Sequence, residues 1–166
     1  MTVDDPHSDD GPQARMAEAG ARMVAAVRAL GAAWVVAVVT ERIDQWGGLG
    51  PADRAETLAA AAEAGERAAT RVAAEMEALL ARPAPEQHLT PLEVMRSLRR
   101  EATAVLERAG VPAIVRDEFE ERAFPDDVYG IVLRSPAELG DDELGGVLLA
   151  WGMAKTRLLR GPDPAG

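Results

Sequence analysis

Four carboxylates in the chain carry the spacing of metal ligands. Glu118 and Glu121 stand three residues apart, Glu138 and Asp141 repeat the interval, and sixteen residues separate the two pairs. Acids three apart share one side of a helix, and two such pairs facing one another could hold Mg²⁺ against a triphosphate. The same interval recurs at Glu63 and Glu66 and at Glu41 and Asp44. It is therefore common in this chain, as expected where 28 acidic residues face 18 basic ones. Gly140 and a turn expected at Pro136 also argue against Glu138 and Asp141 sharing a regular helix.

A second cluster is basic. Arg96, Arg99 and Arg100 occupy neighbouring positions of one expected helix surface, where guanidinium forks could clamp a carboxylate or phosphate. The plainer expectation is that they bridge to the acidic helix that follows and form a wet face. Other catalytic vocabulary is thin. The chain has no Cys, and its two His, His7 and His88, fall in an expected tail and an expected linker. No i, i+4 His pair, Glu-x-x-His pair, phosphate-binding Gly-Lys loop or Gly-x-Ser-x-Gly elbow is present. Ser8, Ser97 and Ser135 carry no local sign of a triad.

The paired acids are similar to the acidic motif of all-α nucleotide pyrophosphohydrolases of the MazG type. That resemblance implies an Mg²⁺-dependent hydrolase with Glu118, Glu121, Glu138 and Asp141 as its ligands. It is the alternative reading, because the motif lacks the regular helical setting that it needs.

Composition narrows the field further. The 166 residues carry a net charge of −10 and a pI near 4.7. The overall field repels DNA, RNA and anionic membranes, so no nucleic-acid partner is expected. Absence of Cys fits a reducing compartment, and "MTVDDPHSDDGPQ" has neither the basic start nor the apolar core of a signal peptide. The expectation is a cytoplasmic protein with no cofactor and a disordered acidic tail over residues 1–11.

Elements that would position these residues are all helical. From Pro12 to Trp46 one long helix carries Met16, Met23, Val27, Trp34 and Val38 on a stripe. Its uninterrupted apolar run, Ala29 to Val39, is too short to span a bilayer, so no membrane span is expected. Nearly all-apolar at this end, the helix asks for a covering surface, and Trp34 marks it as an interaction site. After "GGLG", Pro51 opens a second helix to Arg82 with a heptad of Leu58, Ala62, Gly65, Ala69, Val72, Met76 and Leu79. The small residues let a partner helix come close, and the short connection predicts an antiparallel hairpin over residues 12–82. The same stripes would also serve a dimeric four-helix bundle.

Residues 83–89 form a Pro-punctuated linker, and "TPLE" from Thr90 is a capping box with Pro at the first helical position. A third helix then buries Met95, Leu98, Ala102, Val105 and Ala109. A fourth, from about Pro112 to Ala123, has Val115, Phe119 and Ala123 as its apolar face. "RDEFEERAFPDDVYG" holds three of the six aromatics, and Phe119, Phe124 and Tyr129 are expected to anchor it while its acids solvate or pair with Arg. "SPAE" at Ser135 is a second capping box, and a last helix runs from about Asp142 to Leu159 through Leu144, Leu148, Trp151, Ala154 and Leu158.

"TPLEVMR", "AGVPAIVRDEFEERAFPDDVYG" and "WGMAK" together resemble an uncharacterised family of small helical actinobacterial proteins. The resemblance spans Thr90 to about Lys155, implies that this stretch is one unit, and brings no activity with it.

The chain is thus expected to be all-α: a long antiparallel hairpin, then a compact module of three shorter helices over residues 90–160, and a tail over 161–166. The expected role is that of a non-enzymatic interaction or accessory subunit, with a protein partner or self-association. A third expectation is an apolar ligand held between helices, in a cavity near Trp34 or Trp151.

Overall fold

The computed structural model describes residues 10–162. The expected acidic tail therefore lies outside the described residues except at its last positions, and the C-terminal tail outside them from residue 163 on. Helices α1 (Asp10–Trp46) and α2 (Pro51–Leu80) precede the short α3 (Pro91–Met95), α4 (Arg99–Arg108) and α5 (Glu118–Ala123), and α6 (Leu144–Arg160) closes the chain. Single 3-10 turns lie at Ala84–Glu86, Arg96–Leu98 and Pro136–Leu139. The fold is all-α, with no strand among the described residues.

α1 ends where Gly47 takes a φ of 69°, a conformation glycine adopts without a Cβ penalty, and its N–H caps the Ile43 carbonyl at 2.9 Å. Pro51 then starts α2 at a position that needs no amide donor. The two helices pair antiparallel: Asp44 meets Arg54, Ala32 meets Gly65, Arg28 meets Glu77 and Gly20 meets Leu80. They come close at Gly65, where an added Cβ would sit 2.7 Å from the Ala32 carbonyl oxygen. Beside it, a Cβ on Gly31 would lie 3.2 Å from the Ala69 Cβ. The expected small-residue seam exists, but in a shifted register. Thr57, Ala61, Ala64, Ala68 and Ala73 join Gly65, Ala69, Val72 and Met76 in the buried face, whereas Ala62 points to solvent. A straight helix of 3.6 residues per turn drifts off a strict heptad over this length.

α1 is wider in its burial than one stripe. Val35, Val39 and Ile43 are buried beside Met23, Val27 and Trp34, and Val38 is only half-buried. The reason is that α1 packs on α2, α4 and α6 together, so its apolar end is covered by its own chain. By length and composition alone α1 could cross a membrane; 44% of its apolar window is buried in the core. That core runs without a break from the hairpin into Val94, Met95, Leu98, Leu106, Leu133 and Trp151. Residues 12–82 and 90–160 therefore share one interior.

Thr90 caps α3 as expected. Its hydroxyl accepts from the Glu93 amide at 3.2 Å, and the Glu93 carboxylate accepts from the Thr90 amide at 2.6 Å. The expected third helix is interrupted by the 3-10 turn at Arg96–Leu98. The fourth departs most from expectation. Residues 112–117 are irregular, α5 spans only Glu118–Ala123, and Val115, Phe119 and Ala123 are all exposed. Of the three expected anchors, only Tyr129 is buried, its hydroxyl donating to the Val111 carbonyl at 2.6 Å; Phe124 is half-buried. The period-four apolar residues had no long helix to act on, because the Ile114 amide is committed to the Val128 carbonyl at 3.1 Å and Asp117 caps α5 by accepting from the Glu120 amide at 2.8 Å. At Ser135 the hydroxyl caps Ala137, but Glu138 turns to the Arg134 amide, so only half of the expected box forms.

Two predictions follow from this packing. Gly65→Ala, despite a gain of about 1 kcal/mol in helix propensity, should lower the unfolding free energy by about 1–2 kcal/mol through overpacking against Ala32. Gly146→Ala, where an added Cβ meets nothing within 4 Å, should raise it by up to about 1 kcal/mol. Urea unfolding of both variants checks the contrast. The second prediction concerns pH. Hydrogen bonding from the Thr90 amide, with help from its hydroxyl and the Arg96 charge and against desolvation, holds the Glu93 carboxyl below the usual range. Its stabilisation is thus present above the unfolded value of about 4.3 and lost as pH falls through the lower folded value. The stability gap between wild type and Glu93→Gln should close over that acid window, and a gap unchanged at low pH would exclude the charge as its cause.

Candidate functional site

Among the described residues, the four carboxylates of the paired motif do not gather into one cluster. Glu118 lies 3.6 Å from Arg122 on the exposed side of α5, and Glu121 is also exposed there. Glu138 accepts from the Arg134 amide at 3.1 Å. Asp141 accepts from Arg22 of α1 at 3.2 Å and from the Glu143 amide at 3.0 Å. Among the described residues, no group of three or more His, Asp or Glu side chains gathers as a metal site would require. The second pair straddles a turn, with Gly140 at φ 99°, so helical spacing never applies to it.

The arginine cluster is also divided. Arg96 donates from Nε to the Leu133 carbonyl at 3.1 Å, and its guanidinium carbon lies 5.4 Å from the Phe124 ring centroid. Arg99 is half-buried, with Nε and Nη1 closed to solvent and without a hydrogen-bond partner among the described residues, while Arg100 is exposed. None of the three forms an ion pair among the described residues; Glu120 of α5 is bridged by Arg134 instead. Trp34 is 7% exposed and belongs to the core, which removes it from any partner surface.

One carboxylate missed by the spacing is the most buried. Asp127 accepts from the Ile131 and Val132 amides, each at 2.9 Å, through its two oxygens. A buried acid in a loop invites a catalytic reading, but both of its oxygens are occupied by backbone donors that would otherwise go unmet. It is a hinge-pin of the loop. The acidic run thus turns inward at Asp127 and Tyr129 and stays wet elsewhere.

What remains for a partner is the outer face of α6. Leu149 is 65% exposed and Met153 63%, with Leu159 also exposed. Gly145 and Gly152 leave a shallow depression of about 740 Å³ along this face, bounded by Leu148, Thr156, Arg157 and Arg160. Trp151, Ala154 and Leu144 occupy the opposite face and are buried. Charge is segregated along the helix: Asp142 and Glu143 stand just before its start, Arg157 and Arg160 in its last turn, an order that suits the helix dipole. Arg22 bridges to Asp141 and to Glu143, the latter at 2.8 Å, and these acids hold its guanidinium pKa above the ordinary value. Asp142, Arg157 and Arg160 form no ion pair among the described residues. A sequence signal for this face exists. The buried stripe of α6 accounts for Leu144, Leu148, Trp151 and Leu158 and leaves Leu149, Met153 and Leu159 unused.

No family model, curated protein or solved structure matches the chain.

The account of Asp127 yields a prediction. Asp127→Ala should cost about 2–4 kcal/mol by orphaning two buried amides, and Asp127→Asn, which keeps one acceptor, should cost less. Urea unfolding ranks the two. Amide exchange at Ile131 and Val132 should accelerate in both variants, and unchanged protection there would refute the assignment.

Proposed function

We propose that the protein is a non-enzymatic interaction subunit that self-associates through the outer face of α6, in the cytoplasm and without a nucleic-acid partner. The observation that carries this reading is the exposure of Leu149 and Met153 on a face whose two ends have opposite, unpaired charges. An apolar helix face of this kind favours removal from water, and its depression fits a helix ridge.

Charge selects the occupant. A second copy lying antiparallel across α6 would set its Arg157 and Arg160 beside the first copy's Asp142, and the reverse at the other end. Two-fold symmetry satisfies both ends with one surface, as isologous contacts do. About a two-fold axis near Leu149, Met153 of each copy would lie over Gly145 of the other, and the two Leu149 side chains would meet at the axis. α1 takes no part in the contact and serves as a core helix, not a membrane span.

Sedimentation equilibrium tests the reading. Wild type should be dimeric, and Leu149→Asp combined with Met153→Asp should be monomeric with an unchanged circular dichroism spectrum. Arg160→Glu should weaken the dimer, and adding Asp142→Arg should restore it, because each end would then carry the exchanged pair. A wild type that stays monomeric at high micromolar concentration would overturn the proposal.

A further inference from the structure

We infer that the groove between α1, the end of α2 and α6 binds a small amphipathic molecule whose apolar body ends in one uncharged hydrogen-bonding group, such as a primary amide or an alcohol. The cavity measures about 850 Å³, within the range of about 300–1,000 Å³ typical of small-molecule sites. Met16, Val24, Leu80, Trp151 and Leu158 give it apolar walls, while Ala17, Gly20, Ala21 and Ala25 recess its α1 side. Pro83 and Pro85 carry the chain around its rim.

Two buried polar atoms of its lining residues are unpaired among the described residues. Trp151 and Gln87 both line the cavity and are only 4% and 6% exposed. Among the described residues, the Trp151 indole N–H has no acceptor and the Gln87 side-chain oxygen has no donor. Gln87 is held in place by its other groups: its amide nitrogen donates to the Arg82 carbonyl at 3.0 Å, and its backbone carbonyl accepts from Lys155 at 3.0 Å. Lys155 also sits 5.0 Å over the Trp151 ring. Buried polar atoms of this kind are normally paired, so an orphan donor and an orphan acceptor on two residues that line one cavity ask for a group that offers both.

The ligand head is uncharged for two reasons. Neither orphan atom is ionic, and a charge brought into an apolar wall loses its hydration without a counter-ion. Of the cations around the groove, Arg28 is paired with Glu77 at 2.7 Å, Lys155 is engaged by the Gln87 carbonyl and the Trp151 ring, and Arg82 is exposed to solvent. Both orphan atoms are closed to water in the structure. A head group reaches them by side-chain movement in the groove wall rather than by refolding. The groove lies on the inward side of α6, so its occupancy is independent of the outer face carrying Leu149 and Met153.

The test is a ¹H–¹⁵N titration of the full chain with octanamide, octanol, octanoate and octane. The Trp151 indole resonance should shift saturably with octanamide and octanol, with the Trp34 and Trp46 indoles unmoved as internal controls. Octanoate and octane should bind about tenfold more weakly or worse, since each leaves a buried partner unmet or buries a charge. The double variant Ala21→Leu, Ala25→Leu, which fills the groove from two exposed helix positions, should abolish the shift without lowering the melting temperature. Absence of a saturable Trp151 shift, equal affinity for octane and octanamide, or undiminished binding by the filled variant would each overturn the inference.

Discussion

Backbone contact between α1 and α2 is the constraint on which the remainder of the molecule rests. At Gly65 and Ala32 no side chain intervenes, and the Ala-rich face on either side keeps the two helices near that distance over the hairpin. Close approach lets small side chains fill the interface at interior density, where a larger separation would leave voids that Ala cannot fill. It also leaves the bulky residues of α1, Met23, Val35, Val39 and Ile43, available for a second layer. That layer is supplied by α4, α6 and the Tyr129–Leu133 segment, all drawn onto the same central helix. A chain poor in aromatics thereby acquires one continuous core.

Helix existence was legible wherever the pattern was long or the cap chemical. α1 and α2 announce themselves by extent, the Gly-rich turn and Pro51, and α3 by the Thr90–Glu93 exchange, each a local rule that the tertiary structure had no reason to override. The region from Gly110 to Gly140 was not legible, and its physics explains why. There the apolar positions Val115 and Phe119 fall on a helix too short to be held by them, while the decisive contacts are single side chains reaching to backbone: Tyr129 to Val111, Asp127 to Ile131 and Val132, Arg96 to Leu133. Such ties have no period. Nothing in the spacing of Asp126 and Asp127 says which of them turns inward.

The candidate site shows the same division. Acid and arginine clusters defined by interval dissolved once the chain turned between their members, because interval speaks for geometry only inside one regular element. The α6 face, by contrast, was present in the sequence as apolar residues left over from the buried stripe. Both the face and the groove follow from α6 being docked by one side only: its inner residues complete the core, and its outer residues meet water.

The single lysine adds a consequence of a different order. Lys155 donates to the Gln87 carbonyl and covers the Trp151 ring, so it joins the Pro-rich connection to the last helix across the groove. Every other basic side chain except the two histidines is an arginine, which resists the acylating reagents that attack primary amines. Apart from the chain's own amino terminus, amine-directed chemistry on this protein therefore has one address. A lysine-reactive probe, or an enzyme that acylates lysine, would act at the strut spanning the groove and would neutralise the charge that holds it.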